Sequence, residues 1–245
     1  MNEIKNNLIG ISGQIGSGKD LVGDMIQYIT YCKCYNDDAD DDISFDGFNN
    51  NVLKIWEIKK FADKLKDCIC VLLGCSREML EDRNYKETEL GEEWWYYIAK
   101  DDKSPSGLIT LDEYSNLNEN QRNWLKLVKL TPRLILQLLG TECGRKIIHP
   151  NIWVNSLMSE YVEYSNWIIT DLRFPNEAKA IKAKGGIIIK INRTNNTIET
   201  SGIQKHESEI ALDNYKFDDI IENDGTLEDL FYKVHEIIKK YFIFQ

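Results

Sequence analysis

Leu8-Ile9-Gly10-Ile11-Ser12-Gly13-Gln14-Ile15-Gly16-Ser17-Gly18-Lys19-Asp20 is the stretch on which the reading of this chain turns. A short apolar run passes directly into Gly-x4-Gly-Lys, and Leu21 to Ile29 continue with apolar residues at helical spacing. In a strand–loop–helix of this kind, backbone N–H groups curl around a polyphosphate and the helix adds the positive end of its dipole. The glycines allow the curl and the close approach to the anion, while Lys19 can reach the outer phosphates. A plain strand-to-helix turn would account for the glycines but not for a lysine at a helix start, where the dipole disfavours cations. Gly13, Gln14, Ile15, Gly16, Ser17, Gly18, Lys19 and Asp20 are therefore the candidate phosphate-binding residues. Asp20 departs from the motif, because Ser or Thr normally stands there and holds magnesium.

Outward from this loop, strand-like runs alternate with helix-like ones. Strands are expected at Leu8–Ser12, Val52–Phe61, Trp167–Thr170, Gly186–Asn192 and Phe217–Glu222. Helices are expected at Lys19–Tyr31, Asp63–Leu73, Pro132–Gly140, Asn151–Tyr164, Asn176–Lys184 and Leu227–Tyr241. The alternation predicts an α/β, three-layer P-loop fold, a mainly parallel five-stranded sheet flanked by helices, with the ligand at the carboxyl edge of the sheet. We read residues 1–245 as a single domain carrying helical or loop insertions at 36–51 and 94–123. The first is an acidic loop containing Asp-Asp-Ala-Asp-Asp-Asp, weak as a calcium site without flanking helices. The second opens on Trp94-Trp95-Tyr96-Tyr97, an aromatic patch suited to packing or dimerisation.

The composition is that of a globular protein, with no apolar stretch long enough to cross a bilayer and no signal-peptide pattern, so a cytoplasmic protein is expected. A net charge of −10 argues against a nucleic-acid polymer as partner, and a local basic pocket in an acidic body suits a small phosphorylated ligand. The six cysteines lack zinc spacing and are expected to be reduced thiols, buried where they fall in the apolar stretch 68–75. His206 and Glu209 have i, i+3 spacing but no third ligand in sequence, so a surface pair is expected.

Further candidates lie downstream. Trp167 to Thr170 is an apolar strand ending in Asp171, the form of an acid that faces a nucleotide-bound metal, and Asp20 and Asp171 are the candidate magnesium ligands. Arg173 follows two residues later, where it can offset phosphate charge, and Phe174-Pro175-Asn176-Glu177 then opens a helix. Arg133, Gln137 and Thr141 recur every four residues on one helix face, opposite Leu134, Ile135, Leu138 and Leu139, and could hold a phosphate and read a base edge. Asp63 is placed as an N-cap, with Lys64 or Lys66 within reach of a phosphate. Asn223-Asp224-Gly225-Thr226 is a strand-to-helix turn, where Asn223 can face an adenine.

Taken together, Ser-Gly-Lys-Asp at 17–20, Phe-Ala-Asp-Lys-Leu-Lys at 61–66, Arg-x3-Gln-x2-Gly-Thr-Glu at 133–142, His149-Pro150-Asn151-Ile152-Trp153, Thr170 to Glu177 and Asn223 to Thr226 resemble the deoxynucleoside monophosphate kinases of bacteriophages. The resemblance implies an aspartate after the loop lysine as a family feature. It also implies that Arg133, Gln137, Trp153 and the 171–177 segment, Glu177 included, surround the monophosphate, with Trp153 as a stacking wall for the base. ATP and Mg2+ are the cofactors it implies, and a homodimer the assembly.

The expected reaction moves the ATP γ-phosphoryl onto a deoxynucleoside 5′-monophosphate, with Lys19, Asp171 and Arg173 as the catalytic residues. A kinase of an alcohol such as dephospho-coenzyme A, and a nucleotide-binding regulator without turnover, are the alternatives. The Asn-, Ile- and Lys-rich composition points to an AT-rich, viral genome, which would place the protein in the host cytoplasm.

Overall fold

The opening apolar run forms β1 (Leu8–Gly13), the middle strand of a five-stranded sheet. The structure, a computed structural model, describes residues 7–35, 45, 55–101, 107–163, 165–193 and 211–241. The chain divides into two compact units, Met1–Asp63 with Trp153–Gln245, and Lys64–Ile152.

In the first unit, β1 is followed by α1 (Lys19–Tyr35) and β2 (Glu57–Lys59). After the second unit come α8 (Ile152–Met158), β6 (Trp167–Leu172), α9 (Pro175–Ala183), β7 (Ile187–Asn192), β8 (Asp219–Glu222) and α10 (Leu227–Tyr241). The strand order is β2-β6-β1-β7-β8 and every pairing is parallel. Parallel strands covered by helices on both sides need apolar residues on both faces, which is why β1, β6 and β7 are near-continuous apolar runs.

Alternation along those strands then divides the core into two clusters. Ile9, Ile11, Ile168, Ile189 and Ile191 pack with Val22, Met25 and Ile26 of α1 and Leu230, Val234 and Ile238 of α10. Leu8, Trp167, Ile169 and Ile188 pack with Val154 and Leu157 of α8 and Ala178 and Ile181 of α9. The P-loop fold expected from the alternating pattern is the fold observed.

The second unit begins in α2 (Asp63–Leu73), whose bounds match the expected helix. It continues through α3 (Arg77–Glu81) and α4 (Arg83–Glu87) to a three-stranded antiparallel sheet of β3 (Trp95–Ala99), β4 (Ile109–Thr110) and β5 (Leu125–Lys129), in the order β4-β3-β5. Short helices α5 (Leu111–Ser115) and α6 (Glu119–Arg122) lie between β4 and β5, each closed by a reciprocal capping box. The helical or loop insertion expected at 94–123 is thus partly a sheet, and its last strand extends to Lys129. The aromatics pack within it. Trp95 Nε1 donates to Leu90 O at 2.8 Å, Lys129 sits over the Trp95 ring, and Tyr97 stacks on Tyr114 with centroids 3.7 Å apart.

Thr131 caps α7 (Pro132–Gln137) by accepting Leu134 N–H at 3.2 Å, with Pro132 in the first turn. The expected α-helix to Gly140 ends early, and residues Leu138–Ile148 wind as a wider π-helix. The four-residue phase that joined Gln137 to Thr141 is therefore broken. Other corrections are smaller. β2 holds three residues, β8 starts at Asp219, and the helix expected over 151–164 closes at Met158. Cys68 is exposed, and Cys70 and Cys75 are half-buried, in place of the buried thiols expected there. His206, Glu209 and, apart from Phe45, the 36–51 insertion lie outside the described residues.

Candidate functional site

The loop between β1 and α1 carries Gly16 and Gly18 at φ +77° and +98°, backbone that a side chain disfavours. A Cβ at Gly18 would also lie 2.9 Å from Asn223 Nδ2, the atom that donates to Ser17 O at 2.9 Å. Asn223 thus braces the loop from the carboxyl end of β8. Lys19 Nζ donates to Gly13 O at 2.8 Å and Gln14 O at 2.7 Å, leaving its third N–H for a ligand. Burial, then the Arg173 guanidinium, lower the Lys19 pKa to about 8 against the pull of Asp20 and Asp171.

Asp20 opens outward from the first turn of α1. Thr170 Oγ1 donates to its Oδ1 at 2.6 Å and Lys60 Nζ lies 2.9 Å from the same oxygen, while Oδ2 makes no hydrogen bond among the described residues. Partial burial opposes its ionisation, but the Thr170 hydroxyl and the Lys60 ammonium outweigh that and hold its pKa below the ordinary value. Asp171, next along β6, points the other way. Its Oδ1 accepts Phe61 N–H at 2.8 Å and its Oδ2 accepts Ala62 N–H at 3.0 Å, so the carboxylate ties the β6 tip to the turn after β2. Burial pushes the Asp171 pKa up despite these donors and Arg173. Asp63, expected as a cap, is the first helical residue of α2 and accepts Lys60 N–H at 2.9 Å.

Arg173 is exposed at the start of the loop into α9. Its backbone N–H and that of Phe174 donate to Glu177 Oε2 at 2.8 and 3.0 Å. Glu177 is only 2% exposed, so it lies beneath this loop and shapes it. A cavity of about 430 Å3 opens between the P-loop and this segment, and Lys19, Arg173, Lys190 and Arg193 line it together with Asp213 and Glu222. Arg193 Nη1 also donates to Gly16 O at 3.3 Å. Four cations against two acids make this a site for an anion of high charge.

Trp153 is buried at 6% exposed in the first unit. Lys64, Arg133, Gln137 and Thr141 belong to the second unit. There Arg133 Nε pairs with Glu87, Gln137 is exposed at the end of α7, and Thr141 is half-buried in the π-helix. Lys66 is engaged with Glu81 at 2.5 Å.

Sequence reasoning gave Lys60, Thr170, Lys190 and Arg193 no individual role at the site. The available signal was position. Lys60 directly follows β2, Arg193 directly follows β7, and Lys190 and Thr170 lie in the carboxyl halves of β7 and β6, at the edge where parallel sheets gather their ligands.

A sequence model of the family described as "Deoxynucleotide monophosphate kinase" matches residues 78–234, more than half of the chain. The chain is 29% identical over 197 residues to the deoxynucleoside-5′-monophosphate kinase of Escherichia phage T5, covering 71% of each protein. It is 29% identical over 112 residues to the deoxynucleotide monophosphate kinase of Escherichia phage RB69, covering 44% of each. The corresponding kinase of Enterobacteria phage T4 is also 29% identical over 112 residues, 44% of this chain and 45% of that one. With a glycine-rich loop, its lysine and a cationic cavity at the carboxyl edge of a parallel sheet, the chain belongs to the deoxynucleotide monophosphate kinase family.

Proposed function

We propose that the protein transfers the γ-phosphoryl group of ATP to the 5′-phosphate of a deoxynucleoside monophosphate, giving the diphosphate and ADP. The observation that carries this reading is the cavity where Lys19 of the glycine-rich loop and Arg173 stand with Lys190 and Arg193. The acceptor phosphate has a second pKa of about 6, so it is largely dianionic at neutral pH and needs no general base. Catalysis is then a matter of alignment and charge. Lys19 and Arg173 face the transferring group, and the loop from Gly13 to Asp20, braced by Asn223, holds the donor phosphates. Lys64, Arg133, Gln137, Thr141 and Trp153 are proposed for the acceptor. Glu177 acts through the Arg173 loop that it caps.

Magnesium fits Asp20 best. Its Oδ2 makes no hydrogen bond among the described residues, whereas both Asp171 oxygens accept backbone N–H groups. Among the described residues no group of three or more His, Cys, Asp or Glu converges on a point, which suits an ion that keeps waters and phosphate oxygens and takes one or two carboxylates. The ion, when bound, supplies positive charge to the donor phosphates. A kinase of an alcohol needs a base for the hydroxyl proton, Asp171 or a neighbour, and the two backbone N–H groups held by Asp171 argue against its own use as that base. Family membership weighs against a regulator without turnover.

We further propose a homodimer in the host cytoplasm. Exposed Val71, Trp124 and Ile147 of the second unit support the dimer, and no helix among the described residues is long and apolar enough to cross a membrane. Following ADP production with a panel of deoxy- and ribonucleoside monophosphates, dephospho-coenzyme A and no acceptor tests the assignment. Turnover confined to dephospho-coenzyme A, or absent with every acceptor, would overturn it.

A further inference from the structure

The end of α2 holds two of the six cysteines in an arrangement that a helix alone cannot give. On a regular helix, residues five apart point about 140° away from each other. Here the helix stops at Leu73, Gly74 turns left-handed at φ +62°, and Cys75 N–H donates to Cys70 O at 3.1 Å. That bond across a left-handed glycine is a Schellman closure, which brings together the side chains of the residue that opens the last turn and the residue after the glycine. Those two positions usually hold apolar residues in contact. In this chain both are cysteines. Both cysteines are half-buried, so small reagents can reach them.

We propose that Cys70 and Cys75 form a dithiol site at which low-molecular-weight disulfides install an intramolecular disulfide, pinning the C-terminal turn of α2. The first attack can come from either thiol, and the steps are the same with the two exchanged. The Cys75 thiolate attacks one sulfur of the reagent RSSR, forming a mixed disulfide and releasing RS−, which takes up the proton Cys75 had lost. Cys70 then gives its proton to solvent and attacks the Cys75 sulfur, expelling the second thiolate, which is protonated in turn. One RSSR is reduced to two RSH while the protein gives up two electrons. Cys68, although exposed, does not compete for Cys70, because residues two apart on a helix face away from each other.

The test treats the reduced, full-length protein with oxidised glutathione, blocks the remaining thiols with N-ethylmaleimide and maps the linkages by proteolysis and mass spectrometry. The expected product is the 70–75 disulfide, in excess over every other pairing and over stable glutathione adducts. Cys70→Ser should stop at a mixed disulfide on Cys75. Gly74→Ala meets no atom within 4 Å, so it strains only the backbone, and it should slow ring closure about tenfold in a chain that circular dichroism shows to be folded. Recovery of Cys70 and Cys75 each carrying maleimide, or a lasting glutathione adduct on Cys75 of the unaltered chain, would overturn the proposal. So would the same yield of 70–75 disulfide in the urea-unfolded chain, since the folded turn would then contribute nothing.

Discussion

The carboxylate of Asp20 and the ammonium of Lys60 meet at 2.9 Å on the oxygen that Thr170 Oγ1 reaches at 2.6 Å. This arrangement orients a residue that stands where a hydroxyl is usual. One oxygen is fixed to β6 and to the end of β2, and the other makes no hydrogen bond among the described residues. The Asp20 side chain is 67% exposed, so the pair contributes little to stability, about 0–1 kcal/mol.

Asp20→Asn should therefore leave the melting temperature nearly unchanged while raising the magnesium concentration needed for half-maximal turnover about tenfold, the loss of one charged ligand contact. Thr170→Val, which keeps the shape and removes the hydroxyl, should move that requirement the same way by a smaller factor. A magnesium titration of initial rates, with melting curves for both variants, checks the pair. An unchanged requirement in Asp20→Asn would remove Asp20 from the metal site.

Lys19→Ala removes the cation proposed to face the transferring phosphate. Loss of one such contact costs on the order of 2–4 kcal/mol of transition-state stabilisation, so kcat should fall at least about a hundredfold. The fold should survive, since the Lys19 ammonium sits at the cost of burial beside Arg173. Single-turnover phosphoryl transfer and circular dichroism together decide this, and near-normal turnover would contradict the assignment.

The lowered Lys19 pKa, about 8 in place of 10.5, has a definite pH signature. A folded-state value below the unfolded one means that the charged form is disfavoured in the fold. Its contribution to stability is fully present above 10.5 and is lost as pH falls through about 8. A bound polyphosphate reverses this preference by favouring the cation. Nucleotide binding should thus take up a fraction of a proton at about pH 8.5 and almost none from this group at about pH 6.5, with affinity falling above pH 8. Calorimetry in buffers of different ionisation enthalpy measures the uptake directly, and proton release at pH 8.5 would be the contrary result.

Glu177 takes both of its backbone donors on a single oxygen, Oε2, from Arg173 and Phe174. Glu177→Ala would orphan two N–H groups at a cost of about 1–3 kcal/mol and loosen the loop that carries Arg173, lowering kcat as well as the melting temperature. Glu177→Gln keeps an oxygen for both donors and should restore most of the activity. Equal losses in the two variants would show that charge, not loop shape, is what Glu177 supplies.

The parallel sheet could be read from sequence because Leu8–Ile11, Trp167–Thr170 and Gly186–Asn192 are unbroken apolar runs, which strands need only when helices cover both faces. The small antiparallel sheet was missed for the opposite reason. Trp95–Ala99 is half-buried at every residue and shows no alternation, and β4, its partner, has only two residues. Leu125–Lys129 does carry polar residues at 126 and 129, but its meaning depends on a partner thirty residues earlier, as in Tyr97↔Leu127. The same division holds at the site. The phosphate loop is local and was legible. Lys60, Thr170 and Arg193 converge through strand order and through which way Thr170 and Asp171 point in β6, and neither can be seen in spacing alone. The π-helix escaped because its i+5 hydrogen-bond pattern leaves no mark in an apolar pattern that still looks α-helical at Leu134, Ile135, Leu138 and Leu139.

That wide helix also bears on how the chain tolerates changes in length. A π-helical run holds more residues per turn than an α-helix, so Leu138–Ile148 can give up a residue by tightening toward α geometry while Pro132–Gln137 keeps its own hydrogen bonds. A one-residue deletion inside α1 would rotate Val22, Met25 and Ile26 off the sheet by about 100°. Related sequences should accordingly place single-residue gaps within 138–148 and spare 19–35.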